Sequence, residues 1–248
     1  AAAAVVGGRR VAGAPRAAPP AAAAAQPELA NPPYDGRFTF ARLRFTARGG
    51  YDFAGRVDAK WDHDWPTAER NLMRILAEVS TLRPRMESGV VLAVDDTALF
   101  RYPLAYLCEP GFWSPTDAEA AALGAYLRKG GFLIFDDFFG RHWDSFEAAV
   151  RRVLPDGRLV RLEHTHPIFD AFFRIEHPDD GVVGRRGVAE FWGVFEDNDP
   201  SKRLLLVANY NNDIGESWEW SDTGFMPVDV TSVAYKLGVN YVVYGMTR

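Results

Sequence analysis

Short apolar runs alternate with helix-length amphipathic segments from Arg37 to the end of the chain, and this alternation is the strongest constraint on the fold. The clearest apolar run is residues 131–135 (GFLIF), which is typical of a strand buried on both faces of a parallel sheet. The clearest helix start is Ser114, an N-cap residue followed by proline and, two residues later, by Asp117. Gly130 can end that helix. Strands that alternate with helices predict an α/β fold.

The other elements follow the same pattern. Strands are predicted at residues 38–45, 90–94, 104–107 and 158–162, and apolar helix faces at 72–82 and 146–154. We predict a hairpin from residues 191–195 and 203–208, and a terminal helix over 233–244, with a strand over 239–244 as the alternative. This series predicts a three-layer sandwich whose sheet is mostly parallel, with right-handed crossovers and an antiparallel edge hairpin.

The first 25 residues differ sharply in composition, with 13 alanines, three arginines and no acidic residue. Residues 1–8 are typical of the end of a secretory apolar region, and residues 23–25 are small, as signal peptidase requires. We therefore interpret residues 1–31 as an Ala/Pro-rich leader and linker left from a signal peptide, and residues 32–248 as one domain. This predicts a periplasmic or otherwise exported protein. The alternative is a disordered leader on a cytoplasmic protein.

Charge and cysteine content exclude several classes of function. The chain has 28 basic and 33 acidic residues, a net charge of -5, and the net charge is -8 without the first 25 residues. Such a balance disfavours nucleic acids and anionic membranes as partners. No run of about 18 apolar, uncharged residues is present to span a membrane. Because Cys108 is the only cysteine, an intramolecular disulfide and a cysteine zinc cluster are impossible.

Polar residues follow several of the predicted strands, and ligands in open α/β sheets bind beyond the carboxyl ends of strands. Like charges within about 4 to 6 Å raise each other's pKa, so converging carboxylates need a metal, a cationic ligand, protonation or hydrogen-bond donors. The candidate ligand-binding residues are Asp62, His63, Asp64, Glu109, Asp136, Asp137, His142, Asn209, Asn211, Asn212, Asp213, Glu216 and Trp218.

Each of two pairs of aspartates has two interpretations. Asp62 and Asp64 share a side of an extended chain and could ligate a divalent cation, or Asp64 could cap the following helix. Asp136 and Asp137 are predicted to end the buried strand at residues 131–135. They either form part of a site or are satisfied by the amides of the next turn.

Two further segments also have two interpretations each. Residues 209–220 combine amides, carboxylates and two indoles, which can hold a sugar or a peptide backbone. Alternatively, the Asn and Asp side chains fix turns above buried tryptophans. His164 and His166 share a side of an extended chain and could form a partial metal site, or His166 could begin a short turn. Since no third ligand is evident, we predict no metal site, and the sequence assigns no cofactor.

Six segments in order resemble one bacterial family of unknown activity, catalogued as domain of unknown function 4159. They are FTFARLRF, WDHDWPTAERNLMRIL, LRKGGFLIFDDFFG, HPIFDAFF, NYNNDIGESWEW and AYKLGVNYVVYGM. The resemblance runs from about Gly36 to Arg248. It implies a flavodoxin-like sandwich similar to class I glutamine amidotransferases, often in exported or membrane-attached bacterial proteins. It implies no established activity and no catalytic residues.

Amidotransferase chemistry requires a thiolate on a strand-to-helix turn and a histidine that activates it. The corresponding turn, residues 135–140, contains no cysteine, and the Glu109 carboxylate beside Cys108 would raise the pKa of that thiol. We therefore favour a non-catalytic binding or assembly module, whose acidic, amide-rich cleft holds a small molecule, a carbohydrate or a protein. The alternative is a carboxylate- or metal-dependent hydrolase acting on a carbohydrate or peptide-like substrate, which needs carboxylate pairs about 5 to 10 Å apart.

Overall fold

A seven-stranded sheet organises the computed structural model, which describes residues 29–49, 55, 57–87, 89–181 and 187–248. The strands are β1 (Ala41–Arg44), β2 (Val90–Ala93), β3 (Leu104–Cys108), β4 (Phe132–Phe138), β5 (Val160–Arg161), β6 (Glu190–Phe195) and β7 (Leu204–Tyr210). Their order is β2-β1-β3-β4-β7-β6-β5. The first five strands in this order are parallel, and β6 pairs antiparallel with both β7 and β5. The predicted α/β class, the mostly parallel sheet and the edge hairpin are confirmed.

Helices cover both faces of this sheet. Within the described residues they are α1 (Thr67–Val79), α2 (Asp117–Arg128), α3 (His142–Val153), α4 (Ile214–Glu219) and α5 (Val228–Thr247). Phe132 of β4 packs against Tyr244 of α5 with ring centroids 6.0 Å apart, whereas Phe135 packs against Phe146 of α3 at 5.2 Å. Strand side chains an odd number of positions apart point to opposite faces, so α5 and α3 lie on opposite sides of the sheet. Helices α1 and α4 contact α5, and α2 contacts α3.

The start of α2 corrects one prediction. The N-cap is Thr116 rather than Ser114, and its hydroxyl accepts a hydrogen bond from the backbone N–H of Glu119 at 3.2 Å. The Glu119 carboxylate accepts from the backbone N–H of Thr116 at 2.7 Å. This reciprocal pair satisfies two free N–H groups at once, which moves the cap two residues along the chain. Gly130, with φ of +111°, follows the helix as predicted.

Strand β4 also runs further than predicted. It continues through Asp136 and Asp137 to Phe138, and all seven of its residues are buried. The ladder to β7 shifts register between Phe135 and Phe138, and Asp137 takes a left-handed conformation with φ of +55°. The prediction that the two aspartates end the strand is therefore wrong, because donors from neighbouring elements satisfy the buried carboxylate of Asp136.

The remaining elements agree with the predicted pattern. The two amphipathic segments form α1 and α3, residues 158–162 contain the two-residue β5, and the terminal segment forms helix α5 rather than a strand. Among the described residues, no helix has the length and apolar character needed to cross a membrane. The leader predicted at residues 1–31 falls outside the described residues as far as residue 28, so the export signal and the domain boundary stay predictions.

Candidate functional site

Four segments meet at the carboxyl edge of the parallel strands: the turn before α1, the ends of β3 and β4, and the turn after β7. They carry five carboxylates, which we call the edge carboxylates: Asp64, Glu109, Asp136, Asp137 and Asp213. Burial raises the pKa of Asp213 well above its ordinary value, and the charges of Asp137 and Asp64 raise it further. Burial likewise raises the pKa of Asp64, against the attraction of Arg42. These groups therefore lie close enough to repel one another.

Asp136 is enclosed within the protein. Its carboxylate accepts hydrogen bonds from the Tyr106 hydroxyl at 2.7 Å, the Asn209 amide at 3.0 Å and the backbone N–H of Gly215 at 2.9 Å. The Tyr241 hydroxyl in turn donates to Asn209 Oδ1 at 2.7 Å. Burial raises the pKa of Asp136, while these donors pull it down. The network ties β3, β4, β7 and α5 to the start of α4, so Asp136 holds the edge together.

His63 lies in a different setting, between two carboxylates. Its Nε2 is 2.9 Å from Asp58 Oδ1, and its Nδ1 is 3.3 Å from Glu109 Oε1. Lys60 spans the same two partners, with Nζ 2.7 Å from Asp58 Oδ2 and 3.2 Å from Glu109 Oε2. The hydrogen bond to Glu109 raises the pKa of His63 to about 9, although burial opposes that rise. Both nitrogens of the ring are thus fixed in direction.

Asp137 completes a group of three with His63 and Glu109. Each of the three residues offers one ligand atom, and these atoms lie within 4.8 Å of one another. Glu109 and Asp137 are both buried, with 7% and 4% of their surface exposed, whereas His63 is half-buried. One imidazole nitrogen and two carboxylate oxygens form a set that can coordinate a divalent cation.

Left-handed backbone conformations concentrate at this edge. Asp64, Glu109, Asp137 and Asn211 have φ between +48° and +62°, and Lys60 has φ of +68°. This conformation costs a non-glycine residue about 1 kcal/mol or more. Among the described residues, the other non-glycine cases are Asp197 and Asn198, in the turn between β6 and β7. The strain is therefore concentrated where the edge carboxylates gather.

Asp64 does not cap α1, so that alternative is wrong: the N-cap position is Pro66 and no side chain caps it. Within the described structure, Asp64 Oδ2 is buried and has no hydrogen-bond partner. A Cβ added at Gly215 would lie 2.6 Å from this oxygen and 2.7 Å from the Tyr106 hydroxyl, so the backbone of α4 approaches Asp64 as only glycine allows. Arg42 is buried, pairs with Glu69, and holds the turn by donating to the Trp61 and His63 carbonyls.

The structure does not gather every candidate residue. Asp62 is exposed, whereas Trp218 is 1% exposed and its indole donates to the Ala234 carbonyl at 3.0 Å. Asp213 caps α4 by accepting from the Glu216 N–H at 2.9 Å. The other candidates border the edge in the following ways: Asn211 lies between Gly140 and Val188, Asn212 is buried, and His142 packs beside Phe112 and Phe139.

Several residues of the site escaped the sequence analysis, namely Arg42, Asp58, Lys60, Tyr106 and Tyr241. Arg42 did leave a signal, because it lies on the same side of a predicted strand as Phe38 and Phe40, and a charged residue on an apolar face needs a partner. Lys60 and Asp58 left no signal in the sequence, because the contact between Lys60 and Glu109 joins two loops across the edge.

Cys108 is fully buried at the end of β3. Burial raises the pKa of its thiol well above the ordinary value, and the Asp137 and Asp64 charges raise it further. The only cysteine of the chain is therefore a protonated thiol, unsuited to serve as a nucleophile.

A family model described as Domain of unknown function (DUF4159) matches residues 39–246. No curated protein matches the chain. The matched region extends from just before β1 almost to the end of α5, and it includes all the edge carboxylates.

Proposed function

We propose, from the premise that this chain belongs to the DUF4159 family of unknown function, that the domain is a binding module whose acidic edge takes a divalent cation. The direct ligands would be His63 Nδ1, Glu109 and Asp137. The single observation that carries this proposal is the approach of their three ligand atoms to within 4.8 Å. The proposal sharpens the acidic cleft expected from the sequence by naming its ligand.

The surroundings of His63 support direct coordination. A histidine that binds a metal generally donates its other ring N–H to a carboxylate or carbonyl, which orients the ring. His63 Nε2 meets Asp58 Oδ1 in this way at 2.9 Å, which leaves Nδ1 facing Glu109. The separation of 3.3 Å between Nδ1 and Oε1 fits two ligands on one ion, because bonds of about 2.1 Å place tetrahedral ligands about 3.4 Å apart.

The charge balance of the edge supports a cation as well. Asp64 and Asp213 repel each other and Asp137 in a buried setting, and Asp64 Oδ2 has no hydrogen-bond partner within the described structure. The two neighbouring cations do not balance five carboxylates, since Lys60 is shared between Asp58 and Glu109 and Arg42 pairs with Glu69. A divalent cation beside these groups would offset the excess negative charge.

Calorimetric titration with Mn²⁺ tests the proposal, since Mn²⁺ suits carboxylate ligands and the site offers two. We expect one equivalent to bind, and we expect Glu109→Gln and Asp137→Asn each to weaken binding by more than about 10-fold. Asp62→Asn is the matched control, because Asp62 is exposed on the same turn as His63. Binding that is absent, or that is equal in all four proteins, would rule out this site.

A metal-dependent hydrolase acting on a carbohydrate or peptide-like substrate is the second candidate, and Asp64 is the observation that favours it. Three protein ligands leave open positions on an ion, as in catalytic metal sites. A carboxylate of raised pKa beside such an ion could serve as a general base. Chromogenic glycosides and peptides incubated with the Mn²⁺-loaded protein test this function. Asp64→Asn should then abolish turnover while Mn²⁺ affinity stays within about 3-fold, well short of the loss for a ligand.

We also propose a flavodoxin-like sandwich as the fold family. The order β2-β1-β3-β4-β7 reproduces the order 2-1-3-4-5 of such folds, in which ligands bind at the carboxyl ends of the central strands. β1, β3 and β4 occupy the centre of that order, and the proposed ligands follow or end these strands. Superposition of an experimental structure on flavodoxin-like domains tests the assignment.

A further inference from the structure

A second group of metal-binding side chains lies on two turns that flank a short helical turn at residues 167–170. His164 belongs to the turn after β5, while His177 and Asp179 lie in the segment that begins the helical turn Pro178–Gly181. Each residue offers one ligand atom, and these atoms lie within 4.8 Å of one another. The group shares no residue with the edge carboxylates.

The geometry suits coordination of a single ion. His164 Nε2 lies 3.7 Å from Asp179 Oδ1, which is close to the separation of about 3.4 Å expected for two tetrahedral ligands. The same Asp179 oxygen is buried and accepts no hydrogen bond within the described structure. Both histidines are exposed, so an ion can reach them from solvent.

His166, which the sequence analysis paired with His164, is engaged elsewhere. Its Nδ1 accepts a hydrogen bond from the backbone N–H of Ile168 at 3.2 Å, and it precedes the helical turn Pro167–Asp170. The interpretation that His166 begins a short turn therefore fits the structure. The side chains that approach His164 are instead those of His177 and Asp179, 13 and 15 positions further along the chain.

We propose that His164, His177 and Asp179 bind a transition-metal ion of the zinc class and so join the two turns. Two imidazoles and one carboxylate favour Zn²⁺, Ni²⁺ or Cu²⁺ over Mg²⁺ and Ca²⁺, which prefer oxygen ligands alone. Both helical turns, Pro167–Asp170 and Pro178–Gly181, contact α5. The ion would therefore hold together two segments of the chain that both pack against α5. They follow β5, a strand of only two residues.

A groove beside His164 leaves room for a further ligand on the ion. Its volume is about 440 Å³, and its lining includes His164, Asp170, Arg174 and Glu176. Three protein ligands leave a fourth position of the tetrahedron to water or to a group bound in this groove.

Zn²⁺ titration of the full chain carrying His63→Ala tests the proposal, because that substitution removes the imidazole of the edge site. We expect one equivalent of Zn²⁺ to bind, no displacement by excess Mg²⁺, and a tetrahedral visible spectrum when Co²⁺ replaces Zn²⁺. Adding His164→Ala or His177→Ala should weaken Zn²⁺ binding by more than about 10-fold. Asp180→Asn is the matched control, since Asp180 is exposed and adjoins Asp179. Circular dichroism verifies that each variant is folded, and His164→Gln and His177→Gln replace any that is not.

Three outcomes would overturn the proposal. The first is that the His63→Ala chain binds no Zn²⁺. The second is that adding His164→Ala or His177→Ala leaves the Zn²⁺ affinity of that chain unchanged. The third is that Asp180→Asn weakens binding as much as these two substitutions do. Hydrogen exchange provides an independent measurement, since Zn²⁺ should slow exchange at residues 163–181 and leave the edge unchanged. Because the edge site is removed in these proteins, its failure in the Mn²⁺ titration would leave this result unaffected.

Discussion

Asp136 and Asp137 are consecutive residues of one strand, yet they belong to regions of opposite construction. Four donors from β3, β7 and α4 surround the Asp136 carboxylate. Asp137, turned by its left-handed backbone, instead joins His63 and Glu109. The difference teaches that two adjacent aspartates of the same strand can have different roles, since the donors aimed at Asp136 engage it in the fold, whereas Asp137 belongs to the proposed cation site.

The largest effect is expected from Asp136→Asn. An amide in place of one carboxylate oxygen would face donors from Tyr106, Asn209 and the start of α4. Donors left unsatisfied in a buried network cost about 3 kcal/mol, which lowers the melting temperature by roughly 10 °C in a domain of this size. Urea and thermal unfolding measure the change. A loss below about 1 kcal/mol would remove the contrast with Asp137.

Gly215→Ala should have the next largest effect. Its Cβ would lie 2.6 Å from Asp64 Oδ2 and 2.7 Å from the Tyr106 hydroxyl, at the boundary between the two regions. Overpacking of this kind costs about 2 kcal/mol in the free energy of unfolding. Asp64→Ala in the same chain removes one of the two clashes, and a double-mutant cycle should show partial recovery. Additive losses would show that α4 does not approach Asp64 this closely.

Asp137→Asn should lower the free energy of unfolding by less than Asp136→Asn does, because it leaves in place the four donors that surround the Asp136 carboxylate. The same substitution should abolish most of the Mn²⁺ binding. Asp136→Asn should therefore act mainly on the free energy of unfolding, and Asp137→Asn mainly on Mn²⁺ binding. A large loss of stability in Asp137→Asn would instead make both aspartates structural.

The sequence predicted the scaffold well because local patterns report burial directly. The apolar run before Asp136 forms most of β4, and the two predicted strands of the hairpin, residues 191–195 and 203–208, correspond to β6 and β7. The choice between Ser114 and Thr116 as the cap was not predictable from residue type, because both are good cap residues. It depended on which hydroxyl meets Glu119.

The site was only partly predictable for a related reason. Residues that follow strands could be identified, and His63, Glu109 and Asp137 were among them. The division between the enclosed Asp136 and the proposed cation site depends on a register shift in β4 and on Gly215 of α4, which lies 79 residues further along the chain than Asp136. The surroundings of His164 illustrate the same limit, since the sequence showed His166 two residues away but gave no sign that His177 and Asp179 lie beside His164.

The titration of His63 should make stability depend on pH. Its pKa is raised to about 9, first by the hydrogen bond to Glu109, from about 6.5 in an unfolded chain. The imidazolium therefore stabilises the metal-free protein fully below pH 6.5, and this contribution is lost as the pH rises through about 9. NMR of the His63 ring should give this pKa, and Glu109→Gln should lower it.

A bound cation sharpens the same measurement. A metal on Nδ1 displaces the proton, so saturating Zn²⁺ should remove the His63 titration near pH 9 and release a proton on binding. The enclosed region should not respond, because the Asp136 carboxylate is fully buried and already accepts hydrogen bonds from Tyr106 and Asn209. A pKa of His63 near 6.5, both with and without Zn²⁺, would show that its ring does not lie between Asp58 and Glu109. That result would rule out both the ion pair of His63 with Glu109 and the proposed edge site.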